Sequence, residues 1–393
     1  MHMRRARSHD GIRLLDGFAT RALLATAALA LAVGGCGATG AGEPKVDTAE
    51  LVDGNTEFAL DLYRRVAGQT EVAANVFMSP RSVSSALAMT YAGARGGTAS
   101  EMADVLGLPA ADPAAVLSAF GQLDRRLEAR AETSGYVLNQ ANGLWGQSGY
   151  PFREEFTTLV SEKMGAGFNT VDFVNDTKGA RERINTWVED ATNDRIEDLI
   201  PRGALDASTV LVLANAIYFK GDWRTKFDAE DTRDAPFFSP AGESTVDMMH
   251  RVDRYGYFED EVAQVLDLPY EGGDLSMIVV LPRGGKPGDL ESLESSLTPE
   301  VLDGWIRGVN EKKVDVYLPR FSIEWGTEEL EDDLMVLGMK EAFQPGEADF
   351  SGIGGEQELF ISFVLHKAFV EVNEEGSEAA AATAVRIART SIP

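Results

Sequence analysis

From Asn55 the chain leaves a run of small and polar residues for a helical rhythm, with Phe58, Ala59, Leu62, Tyr63 and Val66 at three- and four-residue spacing ahead of Gly68. The spacing predicts an amphipathic helix with one buried stripe. A second helix is predicted from Ser82 to about Ala94, stopped by Gly96-Gly97, and a third from Ser100 to Val105 ahead of Gly107. Later the period changes. Val210 to Phe219, Met277 to Leu281, Val314 to Leu318 and Phe363 to Val372 read as strands, the last alternating beyond Lys367. Met277 to Leu281 is apolar at every position, which predicts an interior strand covered on both faces. Helices first and strands afterwards, without regular alternation, indicate α+β. With no repeat and no linker after residue 54, residues 55–393 are expected to form one domain.

The first 36 residues follow another plan. Arg4, Arg5, Arg7 and Arg13 give a basic start, and Ala22 to Val33 is an apolar run too short to span a bilayer comfortably, so residues 1–36 are expected to be an export signal. The run ends in Val33-Gly34-Gly35-Cys36, which resembles the bacterial lipobox, where small residues precede a cysteine that is lipidated. Cys36 is the only cysteine in the chain, so no internal disulfide can form, and lipidation would account for a lone exported thiol. An ordinary cleaved signal with a stray cysteine is the alternative. Residues 37–54, rich in small residues with few large apolar ones, are expected to be a flexible tether.

Composition narrows the function classes. At 44% hydrophobic and 25% charged the chain is globular, not disordered. The net charge is −27, and the leader's five Arg and two Asp carry +3, so the remainder would carry about −30. Such a surface repels nucleic acid and anionic lipid, so the membrane is expected to be met only through the lipid anchor, at the cell envelope or otherwise outside the cell. Only His250 and His366 follow the leader. No nucleophile elbow, zinc-protease helix, phosphate loop or dinucleotide fingerprint occurs, and no cofactor or metal site is expected. Acidic runs such as Glu328 to Asp333 read as a solvated helix face. A hydrolase using His250 or His366 would need a nucleophile assembled only in three dimensions. Asn215 and His366, each inside an apolar run, should have hydrogen-bond partners, because an unpaired buried amide costs about 1–3 kcal/mol.

Several segments resemble the serpin family. Asn75-Val76-Phe77-Met78-Ser79-Pro80-Arg81-Ser82 with Ala86-Leu87-Ala88-Met89 is similar to its helix-B motif. Ala214 to Trp223 is similar to its central sheet strand, and Leu318-Pro319-Arg320-Phe321 and Leu365-His366-Lys367-Ala368 to two further strands. Asn373-Glu374-Glu375-Gly376-Ser377-Glu378-Ala379-Ala380-Ala381-Ala382-Thr383 resembles the hinge of an inhibitory serpin. The resemblance covers nearly all of residues 55–393. It implies three β-sheets, about nine helices and an exposed reactive loop. A serine protease would cut that loop, which would then enter the main sheet with the acylated protease attached.

The resemblance also assigns roles by residue. Ser79, Ser82, Asn215 and His366 match the shutter, a polar cluster beneath the main sheet; Trp223, Arg320 and Glu374 match the breach at its opening. Counting from the hinge puts the scissile bond between Thr390 and Ser391, which would suit an elastase-like or subtilisin-like enzyme. A loop one residue shorter would make Arg389 the specificity residue and a trypsin-like enzyme the target. If the loop inserts, Ser377, Ala379, Ala381, Thr383, Val385 and Ile387 should face inward; Glu378, Ala380, Ala382, Ala384, Arg386 and Ala388 should face outward. All the inward residues are small or apolar, and both charges fall outward. About ten new ladder hydrogen bonds at roughly 1 kcal/mol each rival the stability of a whole domain. Serpins normally continue for a few dozen residues beyond the point where this sequence stops, so a fragment or truncated product is expected, with sheet edges left open. The expected function is therefore that of a monomeric suicide inhibitor of serine proteases, not an enzyme. The alternative is a non-inhibitory binding protein on the same fold or an inactive truncated product.

Overall fold

Asp47 opens the first helix by accepting a hydrogen bond from the Ala49 amide at 2.9 Å, and α1 runs Thr48–Gln69. The computed structural model describes residues 12–13, 46–70, 74–110, 112–239, 242–284, 288–354 and 358–390. Leu51 is fully buried on α1, so the ordered domain takes in the last residues assigned to the tether, 48–54. Ser79 caps α2 (Pro80–Tyr91), almost every residue of which is buried. Helix α3 is Gly96–Val105: Gly96-Gly97 begin it instead of ending the previous helix, and Gly96 supplies the left-handed entry at φ 56°. Next come α4 (Pro113–Ser134), β2 (Val137–Gln147), α5 (Glu154–Met164), β3 (Gly167–Val171), α6 (Thr177–Ala191) and β4 (Thr209–Asp222).

The second half begins with β5 (Arg233–Ser239), β6 (Gly242–Glu259), β7 (Ala263–Pro269), β8 (Ser276–Pro282), α7 (Asp289–Ser296), α8 (Pro299–Gly308) and β9 (Asn310–Pro319). It ends with β10 (Phe321–Glu329), α9 (Glu331–Leu337), β11 (Leu359–Val372) and β12 (Gly376–Arg389). One sheet has the order β10-β11-β12-β4-β2-β3. The other has β9-β6-β7-β8, with β5 on β6 and the two-residue strand β1 (Ile12–Arg13) parallel to β9. The long β6 pairs with β5 at its start and β7 at its end, so among the described residues there are two hydrogen-bonded sheets, not three. The nine described α-helices agree with the expected number.

One sequence expectation fails and another holds only in part, each for local reasons. The apolar run in β8 is an edge strand whose residues alternate between buried and half-buried, so its hydrophobicity reflects packing onto the core without a second strand neighbour. The acidic run 328–333 is split between β10 and α9, and Asp333 is buried against Arg65 at 2.9 Å. Asp333 is thus an ion-paired contact between helices α9 and α1, while Glu328, Glu329 and Asp332 are exposed as expected.

The largest difference concerns the loop. Residues 376–389 are not exposed: they form β12, an interior strand antiparallel to both β11 and β4. Alanine favours helix in isolation, but here two flanking strands satisfy every other register choice and packing overrides propensity. Beneath the sheet lies α2; on its other face Ala180, Ile184 and Val188 of α6 share a buried cluster with Ala380, Ala382 and Ala384. The "outward" residues are therefore covered by a third layer, and Ala382 and Ala384 are fully buried.

Candidate functional site

The strand enters the sheet through a tight hairpin. Asn373 Oδ1 accepts from the amides of Glu375 and Gly376 at 3.0 and 3.2 Å, turning β11 back on itself as β12. Gly376 then passes Gly221 so closely that a Cβ would lie 2.0 Å from the Gly221 carbonyl oxygen. The Trp223 and Phe227 amides donate to the carbonyls of Glu375 and Glu374 at 2.8 and 3.0 Å, and the Trp223 indole donates to Asn373 O at 2.9 Å while stacking on Tyr270. Glu374 is buried, accepts from Thr232 Oγ1 at 2.7 Å and lies 3.6 Å from Arg320. The structure thus brings Trp223 and the Arg320–Glu374 pair to the same β11–β12 turn. Arg320 is shared with Asp247, its closer partner. Ser377 reaches the Tyr270 hydroxyl, whose own ionisation burial pushes upward. Ser377 and Ala379 also border a cavity of about 310 Å³ between α1, α2 and the sheet.

Midway along β12 the polar cluster assembles around a residue of the inserted strand. Thr383 pairs in register with His366 on one side and Asn215 on the other. The Ser79 amide donates to His366 Nε2 at 3.0 Å, which leaves the ring proton on Nδ1, and this donates to Thr383 Oγ1 at 2.8 Å. Ser82 Oγ donates to Asn215 Oδ1 at 2.6 Å, so the 3.1 Å contact between Ser82 and Thr383 is completed by the Thr383 hydroxyl proton. Asn215 Nδ2 donates onward to Asn142 Oδ1 at 3.0 Å, and Asn142 Nδ2 to Met164 O at 3.0 Å. Every donor has an acceptor, in one direction, from His366 to the end of α5. Burial drives the His366 pKa down to about 3, against a smaller upward pull from a backbone hydrogen bond at Ala382. A second ring proton would point at the Ser79 N–H, so the ring is a neutral structural link. His366 has no acid–base role here, and its hydroxyl neighbours are occupied hydrogen-bonding partners.

His250 is half-exposed, stacks on Tyr317 and contacts Asp315 at 2.7 Å. No cluster of metal-ligating side chains occurs among the described residues. The inward set follows the alternation: Ser377, Ala379, Ala381 and Thr383 face the α2 side, and Val385 and Ile387 sit in the main core. Arg389 ends the strand, its amide donating to Ser208 O at 3.2 Å, and the Thr390 amide donates to Glu358 O at 3.2 Å. Thr390 is exposed; Ser391 and Cys36 lie outside the described residues. Sequence reasoning missed Asn142, Arg195, Tyr218 and the turn at 204–209, all of which contact the cluster or β12 from distant segments.

These features coincide with known proteins. The family model described as serpin (serine protease inhibitor) matches residues 53–393. The chain is 41% identical to human leukocyte elastase inhibitor over 342 residues, covering 85% of this chain and 89% of that one. A serpin-like protein of Thermococcus kodakarensis is 42% identical over 337 residues, 86% of this chain and 76% of that one. The chain belongs to the serpin family. Among solved structures, emu ovalbumin superposes with a TM-score of 0.80 at 32% identity, covering 87% of this serpin and 91% of that chain. Reaction-loop-cleaved lamprey angiotensinogen gives 0.78 at 33%, covering 87% and 99%. The family is one of protease inhibitors, not catalysts.

Proposed function

We propose that this serpin inhibits serine proteases as a suicide substrate, with cleavage between Thr390 and Ser391 and insertion of residues 376–389 as the step that traps the enzyme. The observation that carries the reading is β12 itself: an alanine-rich strand, hydrogen-bonded on both edges, with no charge at Ser377, Ala379, Ala381, Thr383, Val385 or Ile387. Because β12 is antiparallel to both neighbours, β11 and β4 run parallel to each other. Insertion would exchange one parallel ladder for two antiparallel ones, which are more stable per residue, and add the burial of a whole strand.

The protease serine attacks the Thr390 carbonyl carbon, the Thr390–Ser391 amide breaks, and the Ser391 amine leaves with a proton from the protease's general acid. The ester so formed travels with the strand. A strand of 14 residues spans about 45 Å, so the enzyme is carried from the hinge end to the opposite end of the sheet. Thr390 suits a small specificity pocket, as in elastase-like or subtilisin-like enzymes; a trypsin-like enzyme would cut after Arg389. The elastase inhibitors among its relatives support the first choice. We also propose that Cys36 carries a lipid anchor that holds the domain at the cell envelope as a monomer.

Mixing the protein with elastase-like and trypsin-like enzymes is expected to give a complex that survives boiling in detergent, its mass identifying the bond cut. Clean cleavage with no such complex would reject inhibition and leave a binding role on the same fold.

A further inference from the structure

Glu378 and Arg386, the two charges inside β12 ahead of its last residue Arg389, are the part of the strand that alanine-like packing does not explain. Glu378, near the hinge, accepts from Arg195 at 2.8 and 2.7 Å and from the Tyr218 hydroxyl at 2.9 Å. Arg386, at the far end, is 8% exposed, and its acceptors all come from one turn ahead of β4. Its Nε donates to Thr209 Oγ1 at 2.9 Å, Nη1 to Ala204 O at 3.1 Å, and Nη2 to Asp206 Oδ1 at 2.6 Å and Ser208 Oγ at 2.8 Å. Phe363 lies beneath the guanidinium at 5.8 Å. The turn is braced from within: the Asp206 amide donates to Thr209 Oγ1 at 3.2 Å and the Ser208 amide to Asp206 Oδ1 at 2.7 Å. It also receives the strand's end, through the Arg389 amide to Ser208 O and Arg389 Nη2 to Ala207 O at 3.0 Å.

A planar fork fits such a socket in one position only. Sliding β12 by one residue would swing the guanidinium to the α2 side, among Val385 and Ile387 sites with no acceptor for it. We propose that the turn 204–209 is a register lock that accepts Arg386 only when the strand has inserted along its full length, and then holds it there. The lock rests on the function proposed above. Arg386 is in this sense a positioning residue: it acts on where the strand stops, after the protease has been acylated, and not on the bond that is cut.

The test is a cycle of Asp206→Ala and Arg386→Met, with Arg386→Lys as the conservative variant, using the full chain and an elastase-like protease. Two quantities are read: the ratio of trapped to released protease, and the melting temperature before and after cleavage. Asp206→Ala is expected to lower the trapped-to-released ratio about fivefold when residue 386 is Arg and to leave it unchanged in the Arg386→Met background. Before cleavage it should lower the melting temperature equally in both backgrounds, because it then disturbs only its own turn. Arg386→Lys should fall between wild type and Asp206→Ala, since one ammonium cannot serve four acceptors in the same geometry. An equal effect of Asp206→Ala in both backgrounds, or none in either, with wild type still trapping protease, would overturn the lock and leave the inhibitor reading intact. A wild type that is cut but never traps would remove both.

Discussion

Thr383→Val removes a single hydroxyl from the centre of the polar cluster and keeps the shape of the side chain. Thr383 is fully buried, and its hydroxyl both accepts from His366 Nδ1 and donates to Ser82 Oγ. Valine would leave one buried donor and one buried acceptor short of a partner, at about 1–2 kcal/mol each towards the low end of the usual range, so a total near 2–4 kcal/mol is expected. In a domain of this size that is a fall of about 4–8 °C in Tm. Thr383→Ser keeps the hydroxyl and loses one methyl, worth about 1 kcal/mol, and is the control. The comparison is made by calorimetry on protein cut between Thr390 and Ser391, in which β12 is held in the sheet. Uncut protein, whose loop lies outside on the proposed function, should show little difference between the two variants. Equal melting temperatures for the cleaved Val and Ser variants would refute the claim that the inserted strand completes the cluster.

Ala381→Arg would place an unpaired charge on the buried α2 side, where Ala381 is 4% exposed, and should convert the inhibitor into a substrate that is cut and releases the protease; detergent-stable complex from this variant would contradict insertion. Gly376→Val should abolish trapping as well, because its Cβ would meet the Gly221 carbonyl at 2.0 Å, while protease cutting of the loop continues; gel analysis of products separates the two. His366 gives a pH dependence: its pKa is about 3 in the fold against 6.5 when unfolded. The unfolded chain binds the extra proton, so this contribution is complete above pH 6.5 and is lost as pH falls towards 3, at up to about 1.4 kcal/mol per pH unit. Arg195 holds Glu378 below the ordinary carboxylate range, so its contribution is lost only at lower pH, below the usual Glu titration. Urea unfolding at pH 7 and pH 5, repeated with His366→Asn, should show most of the acid sensitivity vanish in the variant.

The sequence made the inward face of β12 readable because side-chain alternation is a local property, and Ser377, Ala379, Ala381 and Thr383 follow it. Asn215 and His366 were legible for another reason: a polar residue inside an apolar run announces a required partner, whereas Ser79 and Ser82 came from the family resemblance alone. The cluster's extension to Asn142 was not legible, because the partner comes from a different strand and depends on the β2–β4 register. The outer face was expected only to point outward, with no layer over it. Local alternation says which residues share a face, but the layer of α6 and the turn at 204–209 that covers it is a matter of tertiary packing. The glycine pair at 96–97 is a similar case: Gly can end one helix or begin another, and the left-handed φ of Gly96 decides only once α3 packs.

All of these expectations depend on stored free energy, released when residues 376–389 move from outside the sheet to its middle. Melting curves of protein whose residues 376–389 lie outside the sheet, taken before and after a single cut between Thr390 and Ser391, read that reservoir directly. About ten additional ladder hydrogen bonds at roughly 1 kcal/mol each correspond to a rise near 20 °C in the cut protein. Superimposable curves would mean that nothing is stored, and the trapping mechanism would have no source of work.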